Sequence, residues 1–83
     1  MNNKILVTVK IPILEEEYDI FIPVSKKIGA VKALLVKAIN EISNGDYPIN
    51  DNPILMAEDG TMFGNTLTIK ASNIKNGDII ILI

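Results

Sequence analysis

The chain closes on five consecutive aliphatic residues, Ile79-Ile80-Ile81-Leu82-Ile83. Successive side chains of a β-strand point to opposite faces, so a run with no polar position has no face to offer water. It reads as a central strand with apolar surroundings on both sides. Its neighbours must come from earlier in the chain, and the supply of aliphatic residues is large. Isoleucine alone fills 16 of the 83 positions, and the sequence is 48% hydrophobic but only 5% aromatic. A chain of this length is one domain that buries roughly 60% of the surface exposed when unfolded. A helical hairpin would leave many of these isoleucines in water, whereas a sheet with a helix across it hides more of them. Residues 1–83 therefore read as a single domain.

The period of the apolar residues changes along the chain. From Lys4 to Ile11 it is two: Ile5, Val7, Val9 and Ile11 share one face, opposed by Lys4, Leu6, Thr8 and Lys10. After Pro12 and Leu14, the acidic run Glu15-Glu16-Glu17 reads as a solvated reversal. A second alternating segment then places Tyr18, Ile20 and Ile22 opposite Asp19 and Phe21 until Pro23, which makes a hairpin. From Ile28 the apolar steps become three and four: Ile28, Val31, Leu35, Ala38 and Ile42, flanked by Leu34 and Ile39, predict one amphipathic helix ending at Ser43-Asn44-Gly45. Lys26 and Lys27 sit at the positive end of that helix dipole and Gly29 is a poor helix former, so the helix needs tertiary support. Ile54 to Ala57 reads as a short strand with Ile54 inward and Leu55 outward. Glu58-Asp59-Gly60 turns it back through Thr61-Met62-Phe63. Gly64-Asn65 opens an irregular stretch in which Ile69 and Ile74 cap the core edge, before the turn Lys75-Asn76-Gly77-Asp78 leads into the final strand. The fold class is thus α+β, a mixed sheet of four to five strands with one α-helix across one face.

Two stretches carry a family resemblance: the start of the helix, Ile28-Xaa-Xaa-Val31-Lys32, and the turn Asn73-Ile74-Lys75-Asn76-Gly77-Asp78 before an apolar strand. With the order of elements, they resemble the ubiquitin-like β-grasp superfamily across nearly the whole chain. Within it the chain looks most like the YukD/EsaB family, small ubiquitin-like proteins that accompany the type VII (WXG100) secretion machinery of low-GC bacteria. The isoleucine, asparagine and lysine bias with no arginine agrees with AT-rich coding. The resemblance implies a cytoplasmic, non-conjugated accessory or regulatory component of that machinery. The alternative, a covalent modifier or sulfur carrier, is disfavoured, because those proteins end in a mobile Gly-Gly tail whereas this sequence ends at Ile83 within its last strand.

The residues present exclude much chemistry. There is no cysteine, histidine or tryptophan, and all eight basic residues are lysine. Disulfides, zinc-thiolate sites and cysteine or histidine nucleophiles are therefore absent from the sequence. The net charge of −2 gives no electrostatic reason for a nucleic-acid or anionic-lipid partner. No apolar run approaches the roughly 20 residues of a membrane span, and Met1-Asn2-Asn3-Lys4 leads into no signal-peptide core, so a cytoplasmic location is expected. Glu15, Glu16 and Glu17, and likewise Asp46, Asn50, Asp51 and Asn52, follow no calcium-loop spacing. Gly60, Gly64 and Gly77 are isolated and form no phosphate cradle. No catalytic residue, metal ligand or cofactor site is expected, and the chain reads as not an enzyme.

What remains is the sheet face that a single helix leaves uncovered. If the turn before the last strand sends Ile80 and Leu82 inward, then Ile79, Ile81 and Ile83 point outward. Leu6, Leu55, Ile81 and Ile83 then form one apolar patch with Phe21 at its margin. A one-residue slip of register would exchange the two sets. The expected partners are proteins: secretion-machinery components, or a second copy forming a homodimer through this open face.

Overall fold

The computed structural model describes residues 3–83; Met1 and Asn2, which begin the amino-terminal reading above, lie outside the described residues. Strand β1 (Lys4–Ile11) turns through a short 3₁₀ segment at Pro12–Leu14 into β2 (Glu16–Pro23). Glu15 takes the left-handed conformation there (φ 53°), and its N–H donates to the Pro12 carbonyl at 3.0 Å. Helix α1 (Ile28–Ile42), β3 (Leu55–Ala57) and β4 (Ile79–Leu82) follow. The strands form one mixed sheet in the order β2-β1-β4-β3, with β1 and β4 parallel and the outer pairs antiparallel. The aliphatic carboxy-terminal run is therefore an internal strand, but the expected apolar surroundings on both faces are found on one only: Ile80 and Leu82 are buried, whereas Ile79 and Ile81 are half-buried and Ile83 is 50% exposed.

The two alternating segments pair in the expected register, with Ile5 opposite Ile22, Val7 opposite Ile20 and Val9 opposite Tyr18. Their inward side chains join Ile80, Leu82 and the helix in one core, which also takes in Ile69 and Ile74 from the irregular stretch. Near the third strand the structure departs from the expectation. Leu55 lies opposite Leu82 and is 1% exposed, a core residue rather than an outward one. Ile54 is exposed instead, and Met56, opposite Ile81, takes the outward position. The segment Thr61-Met62-Phe63 does return along β3, with Phe63 N–H bonded to the Leu55 carbonyl and a bridge between Met56 and Met62, but it does not extend into a strand.

The helix also turns its apolar stripe. Ile28, Val31, Leu35, Val36 and Ile39 are buried, whereas Leu34 and Ile42, expected to border or belong to the stripe, are 54% and 52% exposed. Val36 takes their place among the buried residues, on the flank that faces the loop after the helix across a groove. No side chain caps the helix at Lys27. Its first donors are satisfied from far along the chain, Ile28 N–H by the Leu67 carbonyl at 2.7 Å and Gly29 N–H by the Asn65 carbonyl at 3.1 Å. This is the tertiary support that the unfavourable Lys26-Lys27 start required. A β-carbon at position 29 would stand 3.4 Å from Asn65, an ordinary van der Waals contact, so the close approach of this segment leaves room for alanine.

At the other end, Asn44 and Gly45 both adopt positive φ and Gly45 N–H closes on the Asn40 carbonyl. The chain then returns to bury Tyr47, held by the Ser43 hydroxyl on its N–H and by the Asn40 amide on its carbonyl. Tyr47 is 3% exposed, and its hydroxyl has no hydrogen-bond partner among the described residues. Burial pushes this phenol above its ordinary value. The Asn50 side chain, near but outside hydrogen-bonding geometry, offsets part of that rise.

Two outcomes test this packing. Leu55→Ala is expected to cost about 2–5 kcal/mol of stability in denaturant unfolding, and Met56→Ala under about 1; equal costs would overturn the register. Because the folded Tyr47 binds its proton more tightly than the unfolded residue, its contribution is complete below the unfolded value near 10.0 and fades as pH rises through the higher folded value. Tyr47→Phe removes an unpartnered hydroxyl, so at pH 7 its thermal midpoint should be unchanged or higher. Between pH 10 and 11 it should lose less stability than the parent chain, and equal losses would contradict the burial.

Candidate protein-interaction surface

The outward sheet face is built by the motif that begins the last strand. Gly77, at φ +89°, allows the tight turn, and its N–H donates to the Leu6 carbonyl at 2.7 Å. The Asn76 side chain accepts the Leu6 N–H at 2.8 Å, so a side-chain amide stands in for a strand neighbour. Asp78 closes the turn by accepting the Lys75 N–H at 2.9 Å and offers its own carbonyl to Thr8 N–H. These bonds set the register in which Thr8 lies beside Ile79 and Lys10 beside Ile81. Ile80 and Leu82 are thereby buried, while Ile79 and Ile81 face away from the helix.

Residues opposite one another across the strands give the face its layout. Leu6 and Phe21 form an apolar pair at one end, with Phe21 61% exposed. Next come Thr8 and Asp19, joined by a 2.8 Å hydrogen bond from the hydroxyl to the carboxylate. Lys10 follows, with Glu17 on one side, Ile81 on the other and an ion pair to Glu58 at 3.4 Å. Ile81 lies against Met56, and beyond it Ile83, 50% exposed, exchanges main-chain hydrogen bonds with Ile54. Opposite Leu6 on the β4 side stands Gly77, which has no side chain. The apolar residues thus form a diagonal from Phe21 and Leu6 through Ile79 to Ile81, Met56 and Ile83, bordered by the polar Thr8–Asp19 and Lys10–Glu17 rows.

Of the five residues expected on this face, Leu6, Phe21, Ile81 and Ile83 are on it and Leu55 is not. Met56 takes the place of Leu55, and Ile79 links the two ends. Nothing in the local sequence distinguishes Leu55 from Met56 as the inward residue; only pairing with Leu82 does so.

None of the apolar residues of this face lines the groove beside the helix, although Ile83 also borders a smaller cleft with Pro12, Ile13 and Tyr47. A groove of about 710 Å³ runs between α1 and the 49–54 loop, with Val36, Ile49 and Ile54 in its walls and Lys32 at its rim. The Lys32 ammonium there donates to the Asn65 side chain at 2.8 Å. Among the described residues no group of three or more acidic, histidine or cysteine side chains could hold a metal ion, and no helix is long and apolar enough to cross a membrane.

No protein-family model matches the chain, and neither does any curated protein. Solved structures do. A chain of the MycP5-free ESX-5 inner membrane complex superposes with a TM-score of 0.83 at 15% identity, covering 99% of this chain and 21% of its own length. The present chain thus spans about a fifth of that component. The EccD5 ubiquitin-like domain from Mycobacterium xenopi gives 0.82 at 15% identity, with 99% and 94% covered. The N-terminal ubiquitin-like domain in the 4931431F19Rik protein gives 0.73 at 18% identity, with 100% and 76% covered. What these proteins share with the chain is a backbone: one helix on a mixed four-stranded sheet, the ubiquitin-like β-grasp fold.

Proposed function

We propose that this chain is a non-enzymatic, non-conjugated interaction module that binds protein through the outward face of its sheet. The observation that carries the reading is the apolar diagonal of Phe21, Leu6, Ile79, Ile81, Met56 and Ile83 on the face opposite the helix. Contiguous exposed apolar surface of more than a few hundred Å² is usual at interfaces and unusual elsewhere on a small domain. Polar rows along its border, Thr8–Asp19 and Lys10–Glu17, supply the rim that gives such a surface its orientation. Backbone similarity to the EccD5 ubiquitin-like domain, together with the YukD/EsaB resemblance, supports a cytoplasmic accessory or regulatory role in type VII secretion. The partner is then a component of that machinery.

Phe21→Glu and Met56→Lys place charges at the two ends of the diagonal without touching the core. Each should leave the thermal midpoint within a few degrees of the parent and weaken recovery of secretion-machinery components from native lysate at least tenfold, as read by quantitative co-purification. Undiminished recovery by both variants would exclude the face. Loss of partners none of which belongs to a secretion complex would keep the face and exclude the secretion role. Sedimentation across a hundredfold concentration range separates a second copy from a foreign partner.

A further inference from the structure

The net charge of −2 is the balance of two unlike ends. Strand β1 sets out from the end where β2 finishes and where α1 and β4 begin, and main-chain bonds tie these segments together. Val24 N–H donates to the Asn3 carbonyl at 2.9 Å, Lys70 N–H to the Val24 carbonyl at 3.1 Å and Ile69 N–H to the Lys26 carbonyl at 3.0 Å. Lys27 forms a bridge with Thr68, and the turn at Asn76 and Gly77 is bonded to Leu6. One end of the molecule therefore carries Lys4, Lys26, Lys27, Lys70 and Lys75, all of them exposed. The only acid in the segments that meet there, 3–6, 23–28 and 64–78, is Asp78, whose carboxylate accepts the Lys75 N–H.

At the other end, the cleft bordered by Pro12, Ile13, Tyr47 and Ile83 brings together the β1–β2 turn, the chain just after α1 and the end of β4. Glu15, Glu16, Glu17, Glu41 and Asp46 stand there, and segments 11–18, 39–48 and 82–83 contain no lysine. The other charged residues, three lysines and four acids, lie on the sheet, along the groove beside α1 or in the turn after β3. The 15 residues of α1 span ~22 Å between the ends, about two Debye lengths at ~0.1 M salt. The basic end thus meets an anionic surface with the repulsion from the acidic end largely screened.

The make-up of the basic end restricts what it can meet. Lys26, Lys27, Lys70 and Lys75 have no ion-pair partner among the described residues, and none of the five lysines lines the groove beside α1 or the cleft at the acidic end. A lysine ammonium is a hydrated point charge on a flexible stem, without the planar fork by which arginine grips a single phosphate or carboxylate. Lysines spread over one end suit a laterally extended negative charge rather than one anionic group. The segments of this end hold no aromatic residue to stack on nucleic-acid bases. They do hold Leu67, which is 48% exposed and whose carbonyl accepts the Ile28 N–H next to Lys27. An exposed leucine among lysines matches the boundary between lipid headgroups and acyl chains.

We propose that this end of the domain docks on an anionic lipid bilayer, with Lys26, Lys27, Lys70 and Lys75 among the headgroups and Leu67 at the acyl boundary. The contact is peripheral and reversible, because it is made by charge and one leucine. Strands β1, β2 and β4 and helix α1 all run between the two ends, so the docked domain stands upright. Its acidic end is turned to water and its sheet face stays open at the side, free to bind protein while the domain is on the membrane. The docking surface lies outside the apolar diagonal and does not depend on it.

The full chain is sedimented with vesicles of phosphatidylcholine carrying about 30% phosphatidylglycerol, and with vesicles of phosphatidylcholine alone. Expected are binding to the charged vesicles at ~0.05 M salt, release at about 0.5 M, and no binding to the neutral ones. Lys26→Gln combined with Lys27→Gln should weaken partitioning at least tenfold, at roughly fivefold per charge. Lys37→Gln changes the net charge by the same step as either lysine alone but stands on the helix flank, so it should stay within about twofold. Leu67→Ser should weaken binding a few-fold with its salt dependence unchanged. These side chains lie outside the buried core, and an unchanged amide spectrum verifies the fold of each variant. Spin-labelled headgroups should broaden the amide signals of residues 24–27 and 67–72 and spare those of 13–17 and 44–47. Overturning results are no binding at millimolar lipid, equal binding of neutral vesicles, an equal loss in Lys37→Gln and Lys27→Gln, or broadening centred on the acidic end or the sheet face. Tighter binding of polyglutamate or duplex DNA than of the charged vesicles at about 0.15 M salt also overturns it, marking a protein or nucleic-acid surface instead. Failure of the outward-face reading leaves these readouts unchanged.

Discussion

The parallel pairing of the first strand with the last holds the rest of the structure in place. It joins residues about 70 positions apart, a long-range closure whose chain-entropy cost the strand pairing and the core must offset. Three turn residues make it possible: Gly77 permits the bend, Asn76 supplies an acceptor for Leu6, and Asp78 ties the turn to Lys75 and Thr8. Once β4 is seated, Ile80 and Leu82 close the core and Leu82 draws Leu55 in after it. The outward row of Ile79, Ile81 and Met56 is a by-product of the same registration, so the core and the surface share one cause.

The helix is subordinate to this arrangement. Its amino end begins with two lysines and a glycine, a poor start that is stable only because the carbonyls of Asn65 and Leu67 cross over to accept its first donors. The irregular segment between β3 and β4, which has no strand or helix of its own, thus caps the helix, buries Ile69 and shields the β3 edge. With that segment spent on the β3 side of the sheet, β2 is left as the outer strand at the other edge among the described residues.

Much of the fold was legible because hydrophobic period and turn chemistry are local properties. Both alternating strands, the helix limits and the left-handed positions at Gly45, Gly60 and Gly77 can be read residue by residue. The misplaced residues have non-local causes. Leu55 and Met56 are equally apolar neighbours on a strand of three, and the Asn50-Asp51-Asn52-Pro53 loop before them carries no signal of register. Leu34 and Ile42 fit the helical stripe as well as Val36 does, and it is the fold-back of the loop around Tyr47 that buries one flank and leaves the other in water.

By itself, then, the sequence determined that the chain is a helix over a sheet whose last strand is internal. Five aliphatic residues in a row after a tight turn favour an internal strand, and the absence of cysteine and histidine removed the common nucleophile and zinc-site chemistries. The tertiary structure alone decided which aliphatic residues face the solvent and which edge of the sheet stays open. Side chains on a strand have a period of two, so a shift of one residue relative to a distant partner exchanges inside for outside. That shift is governed by pairing across the fold, where Leu82 meets Leu55, and no local run of residues encodes it.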